Sequence, residues 1–133
     1  MMSRGNRRQL LSRRKAKKGC AVIAIGEIVH IIERRRFDTD VRRHFVGAVE
    51  QADATIIRVV GYTFVYDHSL TRYVRASELR TRIIPLSASG LVINIAPADT
   101  QLEEVRYEDR DGRLIVTDGG SFNLDINEFG RNR

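Results

Sequence analysis

The segment Ala54–Tyr66 constrains the fold more than any other part of the chain. Its apolar residues Ile56, Ile57, Val59, Val60, Tyr62, Phe64, Val65 and Tyr66 fall on both parities. Successive side chains of a strand point to opposite faces, so a strand here has two apolar faces. Both need cover. The segment therefore belongs in the centre of a sheet, or it bends at Gly61 so that each half meets the core differently. A closed barrel would supply the missing cover internally, and a dimer would supply it externally.

The rest of the chain has the same texture. Short runs of β-branched and aromatic residues alternate with turn signals. Strands are expected over Glu27–Phe37, Arg43–Gln51, Ala54–Tyr66, Thr71–Arg75, Glu78–Leu86 and Leu91–Ala96. Pro85 marks an edge or a bulge, because proline cannot donate to a ladder. Gly47 marks a bend or a close backbone approach. Pro97-Ala98-Asp99 breaks the sheet. Thr100 to Glu103 has the capping-box pattern and predicts one helical turn at 100–104. Leu102–Glu108 and Arg113–Thr117 flank Asp111-Gly112, a strong hairpin signal. Phe122–Phe129 alternates as a last strand. The sum is about eight or nine short strands with almost no helix. The expected fold is all-β: a single-domain antiparallel meander, closed as a small β-barrel or folded into a sandwich.

Charge is segregated. The net charge of +6 divides into +8 from residues 1–18 and −2 from the remainder. Residues 1–20 read as a basic arm, expected to be disordered, ahead of an all-β domain over 21–133. The arm lacks an apolar stripe and its like charges repel at i,i+4. A near-neutral domain with a basic tail differs from a basic fold gripping nucleic acid. Cys20 is the chain's only cysteine, which excludes an intrachain disulfide and fits a reducing, cytoplasmic setting. Glu27 interrupts the apolar run after Cys20, against a signal peptide. No stretch reaches the ~18 apolar residues of a membrane span.

Chemistry-bearing patterns are sparse. Cys20, His30, His44 and His68 show no metal-ligand spacing, so no metal and no cofactor are expected. Asp109-x-Asp111-Gly112 opens like a calcium loop, but its twelfth position is Gly120 in place of the required Glu. A type I′ hairpin explains it. There is no nucleophile elbow and no phosphate-binding glycine loop, and no catalytic residue is assigned. Val60 to Asp67 resembles the RNA-binding octamer of the RRM family in Gly61, Tyr62, Phe64 and Val65. It departs at Val60, Thr63 and Asp67. A buried central strand gives the same letters, and that reading is preferred.

Three functions remain. The first is a non-catalytic interaction module that binds a protein partner, or its own copy, through a sheet face or edge. The second is a nucleic-acid accessory protein. Arg13, Arg14, Lys15, Lys17 and Lys18 of the arm, with Arg34, Arg35, Arg36, Arg42 and Arg43, would contact phosphates, and Tyr62, Tyr66 or Tyr73 would stack bases. The third is an enzyme with a barrel-interior site using His30 or His44.

Overall fold

A computed structural model describes residues 22–35, 37, 39–88 and 90–126. The basic arm, with Arg13, Arg14, Lys15, Lys17, Lys18 and Cys20, lies outside the described residues, as does Arg36. Nine strands are formed among the described residues: β1 (Ile28–Glu33), β2 (Arg43–Ala52), β3 (Ile56–Asp67), β4 (Arg72–Arg75), β5 (Arg80–Pro85), β6 (Leu91–Ile95), β7 (Arg106–Arg110), β8 (Arg113–Thr117) and β9 (Asn123–Asp125). A 3-10 turn at Leu102–Glu104 precedes β7. All pairings are antiparallel. No helix of the described residues is long and apolar enough to cross a membrane.

The strands form two open sheets, which corrects the barrel expectation. The first runs β4-β3-β2-β1-β6, with β5 pairing the other half of the β3 edge that β4 pairs. The second is the meander β7-β8-β9. Strands β5 and β6 share no ladder, so the first sheet is not closed, and the arrangement is sandwich-like. Closure is unnecessary because the two apolar faces of β3 are covered differently. On one face Val29, Ile31, Phe45, Val49, Ile57 and Val59 form a core, capped by Ile23. Ile84 and Leu86 from one end of the sheet, and Leu91 and Ile93 from the other, pack onto the same residues. On the opposite face Val46 and Phe64 meet Val105, Val116 and Phe122 of the second sheet and its approach.

Two glycines make the centre of the first sheet. Gly47 and Gly61 are register partners. A Cβ on Gly61 would stand 1.9 Å from the Val46 carbonyl oxygen, and one on Gly47 would stand 2.5 Å from that of Val60. No side chain fits there. A register shift between Val49 and Gln51 lets β2 bulge and continue toward Ala52.

The turns follow their chemistry. Asp111 (φ 54°) and Gly112 (φ 82°) both take positive φ, as a two-residue I′ hairpin requires. The capping box does not form. Thr100 Oγ1 donates to the Pro97 carbonyl at 2.6 Å, and the Gln101 N–H is satisfied by Asp118 Oδ2 at 2.8 Å. Gln101 is the N-cap residue of the turn, without a side-chain cap, and a carboxylate just past β8 takes its N–H. Strand β1 ends at Glu33, short of the expected Phe37; the arginines that follow have no apolar face to bury.

Candidate interaction site

The register brings part of the predicted basic and aromatic set together. Glu33 pairs Arg43, Arg43 pairs Val65 and Val65 pairs Val74, so the ends of four strands lie side by side. Arg34, Arg35 and Arg43 line one depression of about 510 Å³, with Glu33 and Asp40 among them. Arg42 goes elsewhere: its guanidinium lies 5.8 Å from the Tyr66 ring centroid.

The three tyrosines expected to stack bases have internal partners instead. Tyr73 stacks on both His44 (4.7 Å) and Tyr107 (4.6 Å), whose rings are themselves 5.5 Å apart. Tyr66 meets Tyr73 edge-on at 5.2 Å. Tyr62 lies under Arg75, whose guanidinium is 4.5 Å from its centroid. Arg75 also donates to the Glu103 carbonyl at 2.9 Å and ties β4 to the turn before β7. All three rings are half-buried.

Between the sheets lies a cluster that single-strand reasoning missed. On β1 and β2 the alternation turns His30 and His44 to the face that meets the second sheet. Both are buried, His30 completely. Tyr107 of β7 serves them together: its hydroxyl lies 2.9 Å from His30 Nε2 and 2.5 Å from His44 Nδ1. Asn94 Nδ2 approaches His30 Nδ1 at 3.3 Å, and Tyr73 Oη makes a long 3.5 Å contact with His44 Nε2. With both imidazoles neutral, one assignment satisfies the whole chain. Asn94 donates to His30, His30 Nε2–H donates to Tyr107, Tyr107 donates to His44 Nδ1, and His44 Nε2–H points at Tyr73.

Burial enforces that neutrality. It lowers the His30 pKa to about 3, with the neighbouring His44 adding to the effect. It lowers that of His44 to about 4, with Arg42 adding. The same burial pushes the Tyr107 phenol well above its usual value. A general base poised near neutrality is not what this arrangement makes. It makes a satisfied polar joint between two sheets. The signal in the sequence was a histidine within an apolar strand, which needs a partner when buried. Among the described residues no three His, Cys, Asp or Glu side chains gather as a metal site would require.

The outer edge of β6 is the other distinctive feature. Ala96 N–H donates to the Ile28 carbonyl and Arg34 N–H to that of Gly90. With Val29 opposite Ile95 and Glu33 opposite Leu91, residues 90, 92, 94 and 96 turn their backbone groups to β1. Those of Leu91, Ile93 and Ile95 turn away. No strand among the described residues pairs that side. Ile95 is half exposed (50 %). The other edges are guarded. Strand β5 carries Arg80 and Arg82, and Pro85 sits where its missing N–H would face outward. Strand β4 is Arg-Tyr-Val-Arg, β7 holds Arg106, Glu108, Asp109 and Arg110, and the three-residue β9 ends on Asp125. Strand β6 is Leu-Val-Ile-Asn-Ile, without charge or proline.

Comparison with known protein families, with curated proteins and with solved structures finds no match to this chain.

Proposed function

We propose that this protein is a non-catalytic interaction module that accepts an extended segment of a partner polypeptide as an added strand on β6. The unguarded β6 edge carries the reading: its outward N–H and C=O groups supply a ladder, and its side chains raise no charge barrier. The interior supports it from the other side. His30 and His44 are held neutral with their ring nitrogens engaged, as a joint between sheets needs. Displayed libraries of extended peptides provide the test. Selected binders are expected to lose affinity for the Ile95→Pro variant, which removes an outward N–H and no bond to β1. A set of binders indifferent to Ile95→Pro would refute the reading.

A second reading rests on Arg34, Arg35 and Arg43 sharing one depression. That end of the sheet would contact phosphates together with the arm. Deleting residues 1–18 is then expected to abolish salt-dependent retention on immobilised nucleic acid. Unchanged elution would remove the arm from this account.

A further inference from the structure

We infer that the segment added to β6 is the β6 of a second copy of this chain, paired antiparallel about a two-fold axis at Ile93. The inference rests on the strand-addition reading above and names its partner.

The geometry is self-complementary. An isologous contact requires the same surface on both copies, so each residue must tolerate its symmetry mate. Centred on Ile93, the register sets Leu91 against Ile95 of the second copy, Ile93 against Ile93, and Val92 against Asn94. The outward residues 91, 93 and 95 are then the hydrogen-bonded positions on both sides. Shifting the register by one residue would set outward groups against inward ones and lose the ladder.

Charge excludes the chain's other edges as partners more than it excludes β6. A strand laid on β6 contributes its own side chains to a row of Leu91, Ile93 and Ile95. Aligned on that edge, β4 would set Arg75, β7 Asp109 and β9 Asp125 against those residues, while β5 would set Pro85 there and its Arg80 and Arg82 against Val92 and Asn94. Only β6 brings an uncharged strand, and β-branched or apolar cross-strand pairs are the favourable ones. In the paired state Ile95 would be covered by Leu91 of the second copy. The apolar row on which Ile93 packs would run across the axis into the second core.

The test measures mass by light scattering over about a hundred-fold range of concentration, with the full chain. Apparent mass is expected to double as concentration rises. Ile95→Pro and Ile95→Lys should both remain at the monomer mass with unchanged far-ultraviolet circular dichroism; the lysine variant guards against a proline that disturbs folding. A monomer at every concentration overturns the second copy as partner. If peptides selected on the edge still respond to Ile95→Pro, strand addition survives that result; if they do not, both fall. A dimer that persists in both Ile95 variants overturns the inference by placing the contact elsewhere.

Discussion

The Tyr107 hydroxyl holds two buried histidines at once, and both consequences can be measured. Tyr107→Phe leaves His30 Nε2 and His44 Nδ1 without their shared partner. Unsatisfied buried groups are costly, so the variant is expected to lose about 2–3 kcal/mol in urea unfolding. A loss under about 0.5 kcal/mol would show that the hydroxyl does not join the sheets. The second consequence is acid sensitivity. Both histidines have folded-state pKa values below the ordinary 6.5, at about 3 and about 4. Below pH 6.5 the unfolded chain binds protons that the folded chain refuses, so stability falls with falling pH. The slope is about 1.4 kcal/mol per pH unit for each histidine. The loss continues until the folded values are passed. Carboxylates such as Asp118, held low first by the Gln101 N–H, lose their contribution only at lower pH. The window from pH 6.5 to 5 therefore reports the histidines, and a flat unfolding midpoint across it would contradict the joint. None of this was legible one strand at a time. Tyr107 lies 77 and 63 residues from its partners and sits in a charged strand. Only pairing reveals that His30 and His44 share a face.

At the scale of elements the sequence is more informative. Strand positions follow from β-branched runs between turn residues, and Asp111-Gly112 names its turn type outright. Pro85 marks an edge because the chemistry of its missing N–H leaves few other places. Gly47 reads as a bend or a close approach and Gly61 as a bend; the register shows that they approach one another. Gly61→Ala is expected to destabilise by about 3 kcal/mol or more, since the clash is with backbone and cannot be relieved by a rotamer. An Ala variant with wild-type stability would mean that β2 and β3 do not face each other in this register. The edge status of β6 was illegible for the opposite reason. Leu-Val-Ile-Asn-Ile lacks the charges and proline that announce an edge, so on its own it reads like an interior strand.

On the scale of the whole molecule, two greasy faces on β3 demanded cover but did not say from where. Pro97-Ala98-Asp99 breaks the chain equally well before a strand that closes a barrel and before a meander that packs on one face. The choice was made by long-range contacts: Val105, Val116 and Phe122 bury against Val46 and Phe64, and Tyr107 locks the joint. Charge is likewise segregated along the sequence, +8 in residues 1–18 and −2 in the remainder. The first sheet then ends on one strand with an unguarded outer side. Amide hydrogen exchange in dilute protein tests that claim most directly. The N–H groups of Leu91, Ile93 and Ile95 are expected to exchange fast while those of Val92 and Asn94, turned to β1, are protected. Protection of all five at a concentration where the chain is monomeric would contradict an open β6 edge.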